Sequence, residues 1–333
     1  MKEVAAVAGV SLSTVSRVVN HDPSVRGELR QKVARAVEIL GYRQNFTASA
    51  LRRADGISSS IGLIVEDIAN PFFSAMQRGI ENVARQRGVL TFTGSTDELP
   101  EREQQLVNDF GARGVDGLIV VPASGDHGYL LRDRDAGIAL VFIDRPGRFI
   151  DADTVLSDNA SGAYAGVSHL IAAGHHRIAF LGDRGTIYTA SERLRGYRKA
   201  LADHGIPEDP ELIRHTARPA ADAYPVTREF VLGSNAPTAV FSAQNLVTVE
   251  AVRALHDTGL QRRVAFVGFD DVAMADILDP GITVVVQDAT GLGATAAELL
   301  FSRLEGFDGP FQEVVLTTSL IPRGSGEISP PAS

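Results

Sequence analysis

The chain has no cysteine, which excludes disulfides, thiol catalysis and cysteine-ligated zinc. No apolar run approaches the eighteen or so residues that a membrane-spanning helix needs. The charged-then-apolar-then-small order of a signal peptide is missing from the amino terminus. Missing too are a Gly-x-Ser-x-Gly elbow, a Walker loop and a His-Glu-x-x-His pair. Gly291-Leu292-Gly293-Ala294 opens like a dinucleotide fingerprint, but Ala296 stands where the third glycine is required. His175-His176 has no metal partners at a useful spacing and reads as a helix C-terminal feature. These absences point to a cytoplasmic protein that is not an enzyme and that uses no cofactor, metal or membrane.

What is present suits a soluble protein with a sizeable core. Of 333 residues, 44% are hydrophobic and 22% charged, and the length calls for two or three domains. The net charge of −9 divides unevenly: residues 1–56 hold nine basic and five acidic side chains, leaving −13 for the rest. A basic head on an acidic body confines attraction for phosphate to one end.

The first twenty residues read as two short helices around a turn at Gly9. Val4, Ala5, Ala8, Val10, Val15 and Val18 form an apolar seam, while the outward face of the second helix carries small polar side chains and Arg17. This layout fits a helix-turn-helix, whose second helix enters the DNA major groove. The residues alone fit a packed helical pair as well. A third helix follows over Gly27–Leu40, with Leu29, Val33, Val37 and Leu40 on one face and Gly41 at its end. Residues 44–60 form a polar linker able to make one or two helical turns, with Asn45 as N-cap.

From Ile61 onward, continuous apolar strands alternate with amphipathic helices, the pattern of parallel sheets covered on both faces. Some 270 residues of it exceed one sheet, so two α/β lobes are expected. In open α/β sheets ligands bind beyond the carboxyl ends of the strands. The residues there include Glu66-Asp67, Asn70-Pro71-Phe72-Phe73, Ser95-Thr96-Asp97, Asp144-Arg145, Asp158-Asn159, Gln244-Asn245, Phe269-Asp270-Asp271 and Gln287-Asp288. Carboxylates and amides beside aromatics suit a polyhydroxylated ligand.

Val4-Ala-x-x-Ala8-Gly9-Val10-Ser11-x-x-Thr14-Val15-Ser16-Arg17-Val18-Val19-Asn20 resembles the head signature of the LacI/GalR family of bacterial transcriptional regulators. Gly41-Tyr42-Arg43-x-Asn45-x-x-Ala48-x-x-Leu51-Arg52 is similar to its hinge. Asn70-Pro71-Phe72-Phe73, Gly114-Val-Asp-Gly117, Arg193-x-x-Gly196-Tyr197 and Val267-Gly268-Phe269-Asp270-Asp271 follow in the family's order. The resemblance implies an α/β protein with an all-α helix-turn-helix head and a two-lobed, periplasmic-binding-protein-like (type I) core of parallel sheets. The expected boundaries are a head at 1–43, a hinge helix and linker at 44–60, a core at 61–322 and a loose tail at 323–333. Within the core, 61–160 and 290–322 would form a proximal lobe and 161–289 a distal one.

It further implies a repressor, homodimeric on a pseudo-palindromic operator and controlled by a small molecule, a sugar or sugar derivative, bound between the lobes. A sugar-binding protein without DNA function is the alternative. By position, Leu12, Ser13 and Arg17 would face base edges, Thr14, Ser16, Asn20 and Arg30 would meet phosphates, and Leu51 would wedge into the minor groove. Phe72, Phe73, Asp144, Arg193, Asn245, Asp271 and Gln287 would surround the effector. This chain departs from the family pattern in four ways. It starts early, so its first helix lacks a cap and a phosphate contact, and a start upstream of Met1 is expected to bind DNA better. Gln44 replaces a proline, Ser49-Ala50 replaces Arg-Ser, and Asn245 stands where an aspartate is usual.

Overall fold

A left-handed glycine sets the geometry of the amino-terminal helices. In the computed structural model, which describes residues 1–19, 25–40, 60–123, 125–216 and 219–331, Gly9 closes α1 (Lys2–Ala8) at φ 65°. The amides of Gly9 and Val10 bond back to the carbonyls of Ala6 and Ala5. Ser11 then caps α2 (Leu12–Val19), its Oγ accepting from the Thr14 amide at 3.1 Å. With α3 (Gly27–Leu40) these helices enclose a small core of Val4, Val15, Val33 and Ala36, flanked by Ala5, Ala8, Val10, Val18 and Val37. The apolar seam is the one read from the sequence. Asn20, Gly41, Leu51 and residues 44–59 of the expected hinge lie outside the described residues.

Contacts divide the chain into two compact units, 1–58 and 59–333. The second unit holds two six-stranded sheets. The first lobe runs β1 (Ser60–Val65), α4 (Pro71–Gln86), β2 (Leu90–Ser95), α5 (Pro100–Ala112), β3 (Gly117–Val120), α6 (Leu131–Asp135), β4 (Ala139–Ile143) and β5 (Asp153–Ser157). The second runs α7 (Asn159–Ala172), β6 (Ile178–Gly182), α8 (Tyr188–Asp203), β7 (Ile213–His215), α9 (Pro219–Leu232), β8 (Ala239–Ser242), α10 (Asn245–Asp257), β9 (Ala265–Phe269) and β10 (Thr283–Val286). The chain then returns through α11 (Ala289–Leu304) and β11 (Glu313–Leu316) to the first lobe, and crosses back to β12 (Ser319–Ile321) in the second.

Every pairing in the first sheet is parallel, in the order β11-β5-β4-β3-β1-β2. The second sheet, β12-β10-β9-β8-β6-β7, is parallel except for β12. Strands such as β1 are buried along their whole length because helices cover both faces. Helices α4 and α11 touch backbone to backbone: a Cβ on Gly79 would lie 2.1 Å from the Thr290 carbonyl, and one on Gly293 2.0 Å from that of Met76. Gly293, one of the two glycines that looked like a nucleotide fingerprint, therefore serves packing, while Gly291 sits against the capping carboxylate of Asp288.

Two expectations about the end of the chain are corrected. β12 belongs to the second lobe, so the first lobe's return ends at β11 and does not extend to 322. Nor is the tail loose over its described part. The Ser325 amide donates to the Gly281 carbonyl and its carbonyl accepts from Phe266 N–H, both at 2.9 Å, while its hydroxyl donates to Phe266 O at 2.6 Å. Small residues without hydrophobic patterning gave no sign of this, because the attachment is made by main chain and hydroxyl. His175, fully buried, joins the same assembly through Thr238 Oγ1 (2.9 Å) and the Ile328 carbonyl (2.7 Å). It lies just past the end of α7, where the sequence reading put it, its amide bonding back to the Leu170 carbonyl, and burial lowers its pKa, so it serves as a neutral pin.

Candidate functional site

The outward face of α2 is the first candidate. At about 100° per residue, Leu12, Ser13, Ser16 and Arg17 share one arc, and Val15 is buried on the far side. Leu12, Ser13 and Arg17 are exposed, and Ser16 and Thr14 are half-buried. An apolar side chain, hydroxyls and a guanidinium on a helix held by its own cap and core make a surface able to read base edges. Thr14 is tied into the helix start, its Oγ1 lying 2.8 Å from Ser11 Oγ. Arg30 is exposed on α3.

The second candidate lies between the two lobes, at the carboxyl ends of both sheets. Arg193, on α8 and 4% exposed, is its centre. Its Nε donates to Asn159 Oδ1 and its Nη1 to the Ala243 carbonyl, both at 2.7 Å. The guanidinium lies 4.0 Å from the centroid of the Phe269 ring. Burial lowers its pKa, while the carboxylates of Asp270 and Asp144 oppose that shift. These two aspartates occupy matching places in the two lobes. Each follows a strand, β4 or β9, each has φ 69°, and each donates its amide to the neighbouring strand, at Val155 and Val285 respectively. Burial raises the pKa of both, with Arg145 and Arg193 pulling Asp144 down and Arg193 pulling Asp270 down.

Arg145 ties the first lobe's loops together. It donates to Glu98 Oε1 (2.5 Å), Glu66 Oε2 (3.1 Å), Asp144 Oδ2 (3.2 Å) and the Pro122 carbonyl (3.3 Å). Burial works against its charge, yet Glu98, Asp144 and Glu66 together raise its pKa. Burial also pushes the Glu66 carboxyl up to about 8; Arg145 opposes that shift and Glu98 adds to it.

Of the residues expected around a ligand, Phe72, Phe73, Asp144 and Arg193 line one gap, with Glu66, Arg145, Asp183, Thr189, Gln244 and Asp270. The two phenyl rings meet edge to face, their centroids 5.2 Å apart. Gln287 stands behind, its Nε2 donating to Asp270 Oδ1 at 2.6 Å. Asp271 is displaced from the site: its carboxylate pairs with Arg323 at 2.6 and 2.7 Å on the surface. The left-handed turn at Asp270 directs that residue inward and its neighbour out. Arg145, Glu66 and Asp270 sit among the strand-end residues of the sequence, but choosing between adjacent positions requires the turn geometry. Among the described residues, no group of three His, Asp or Glu side chains is arranged to hold a metal.

Asn245 does not line the gap either. Its Nδ2 donates to Asn70 Oδ1 (2.6 Å) and its Oδ1 accepts from Asn70 Nδ2 (3.4 Å), joining the lobes. Asn70 Oδ1 also caps α4 through the Phe72 amide. An aspartate at 245 would set a carboxylate oxygen against Asn70 Oδ1, so the amide is what permits the reciprocal pair. Asn245→Ala is expected to favour separated lobes by about 1–2 kcal/mol, since buried Asn70 would lose its partner. Spin labels, one per lobe, should report a longer distance in the ligand-free variant; an unchanged distance would show that this pair does not hold the cleft shut.

Residues 1–45 match the family model described as bacterial regulatory proteins, lacI family, and residues 167–326 match a periplasmic binding protein-like domain. The ribose operon repressor of Haemophilus influenzae is 30% identical over 329 residues, covering 98% of each chain. The lac repressor dimer bound to operator and the anti-inducer ONPF superposes with a TM-score of 0.84 at 27% identity, covering 97% of each chain. A LacI family regulator from Enterococcus faecium with bound ribose gives a TM-score of 0.72 at 26% identity over 82% of this chain and 100% of that one.

Proposed function

The chain belongs to the lacI family of bacterial regulatory proteins, and on that premise we propose that it is a cytoplasmic, homodimeric repressor whose grip on a pseudo-palindromic operator is set by a sugar or sugar derivative between its lobes. The observation that carries this reading is the outward arc of α2, held rigidly by the Ser11 cap and the Val4-Val15-Val33 core. In this reading Leu12, Ser13 and Arg17 read bases, Thr14, Ser16, Asn20 and Arg30 hold phosphates, and Leu51 wedges at the dyad. Two copies reading two half-sites require the operator's two-fold symmetry. The exposed Leu90 and Phe92 on edge strand β2 support pairing with a second copy, since an apolar edge strand needs cover.

Family members are transcriptional regulators, and this cleft fits binding better than catalysis. Its arginines are held by fixed partners, and its carboxylates flank charges rather than a nucleophile. A ligand alters DNA affinity only by preferring one lobe arrangement over another. Selection from randomised duplexes with the whole protein tests the assignment. The enriched sequences should share a two-fold symmetric motif whose binding a sugar changes; no enrichment over the input pool would overturn it.

A further inference from the structure

Where the lobes meet, carboxylates outnumber cations. Glu66, Asp144, Asp183 and Asp270 line the gap with Arg145 and Arg193, and Glu98 binds Arg145. Arg193 faces Asp144 and Asp270, so Arg145 is left to hold Glu66 and Glu98 together with Asp144. Buried carboxylates crowded onto one cation do not all ionise freely.

The shortage shows at Glu98. Its side chain is 8% exposed; one oxygen takes Arg145, and the other, Oε2, is buried without a hydrogen-bond donor. Beside it stands the carboxyl of Glu66, close enough for a hydrogen bond between the two side chains and held by the same guanidinium. Two ionised carboxylates so placed repel. A single proton between them turns the contact into a hydrogen bond and supplies the donor that Glu98 Oε2 lacks. The backbone is bent to this arrangement. Asp97 and Glu98 are consecutive left-handed residues, at φ 52° and 60°, a conformation that a Cβ disfavours. The Asp97 amide donates to the Glu66 carbonyl at 2.9 Å, tying the two loops together, and the Glu98 amide donates to Thr96 Oγ1 at 3.3 Å.

Glu66, Glu98 and Arg145 all belong to the first lobe and stay together when the lobes part. The second lobe brings Asp183, which follows β6 and lines the same gap. Its Oδ1 accepts from the Arg184 amide at 2.6 Å, with the exposed Arg184 guanidinium 4.0 Å away. Closing the lobes therefore strips water from Glu66 and sets a further negative group against it. Burial is the larger cause of its raised pKa; Arg145 opposes the shift, and Glu98 and Asp183 add to it. The other charged groups nearby are Asp144 and Asp270 with Arg193, and Arg148 and His127 at the cleft mouth beside Arg145.

We propose that Glu66 and Glu98 are a proton-sharing pair, and that closing the lobes takes up the proton they share. The closed form then gives way to the open one as pH rises from the ordinary carboxylate range, by at most about tenfold per pH unit. The trend levels off above about 8, where Glu66 is ionised in both forms. This equilibrium needs no ligand, so its test is independent of what the cleft binds.

Spin labels, one per lobe, on the whole ligand-free protein should report a distance that lengthens across that range. Glu66→Gln sets an amide N–H against Glu98, and Glu98→Gln sets one against an ionised Glu66. Each replaces the proton, so each variant should stay closed where the wild type opens. Asp144 and Asp270 are untouched by either change, and any response of theirs is common to all three proteins. Asp183→Asn, which removes the opposing charge, should make the response shallower. Infrared difference spectra between the two ends of the range should show the wild type losing one more protonated-carboxyl band than either glutamine variant. Cooperative melting verifies that each variant is folded. A wild-type distance that does not change with pH, a response that survives in both glutamine variants, or equal band losses in all three proteins would overturn the proposal.

Discussion

Arg17→Ala is expected to weaken operator binding by roughly 10- to 100-fold, the range for losing one good arginine–guanine contact. The side chain stands exposed on the outer arc of α2, and its removal leaves Val15 and Val33 packed as before. The head should therefore keep its fold, and the loss should appear in specific binding. A base-reading arginine and a phosphate-holding one differ in signature. Arg17→Ala should relax selectivity at one base pair of each half-site, with little change in specific binding's salt dependence beyond its own charge. Arg30→Ala should weaken all sequences alike and reduce the slope of log K against log salt by about one. Anisotropy titrations at several salt concentrations, on the selected duplex and single-base variants of it, separate these outcomes. Uniform weakening in Arg17→Ala would move it from the bases to the backbone.

The charge division gives that measurement its context. With a net +4 on residues 1–56 and −13 on the remainder, the body repels the duplex that the head attracts. Nonspecific binding then depends on the few cations of the head, and removing one of them is visible against a low background.

The first two helices of the head were legible, because their seam leaves a 3.6-residue rhythm and Gly9 marks the turn; on α3, Val33 and Val37 face the core as read, but Leu40 is exposed and Ala36 is buried instead. The two parallel sheets were legible as continuous apolar runs. Residues 213–232 were not, since β7 has only three residues and Pro219 and Pro225 disguise α9 as loop. The tail's attachment was hidden because Ser325 acts through main chain and hydroxyl. In the cleft, sequence placed the chemistry at strand ends but could not tell Asp270 from Asp271, a choice made by one left-handed residue. Asn245 was noticed as a departure, and its partner Asn70 lies 175 positions away on the other lobe. Only the folded chain brings them together.

Arg193→Met is expected to abolish the response to effector and to destabilise the core. The native guanidinium has five N–H donors; Asn159 and the Ala243 carbonyl engage two of its nitrogens, leaving donors for ligand hydroxyls. A charge-assisted hydrogen bond lost to the ligand lowers affinity by roughly 10- to 100-fold. Removing one partner from a buried charge group costs about 3–5 kcal/mol, because Asp144 and Asp270 lose the cation that both face. Arg193→Lys separates the two effects. It restores a positive charge and so recovers part of the stability, yet lacks the planar fork and should remain unresponsive. The sign of the pH dependence checks the cause. Burial already raises both aspartates, so each favours folding fully below its unfolded pKa and loses that contribution as pH rises through its folded one. Without Arg193 the folded pKa values rise further, so the stability deficit of Arg193→Met should widen as pH increases from the ordinary carboxylate range toward neutrality, and that of Arg193→Lys should widen less. Melting temperatures across that range decide it. A deficit independent of pH would mean that Arg193 stabilises the cleft by packing on Phe269 and by its bonds to Asn159 and Ala243, and that the two aspartates do not depend on its charge.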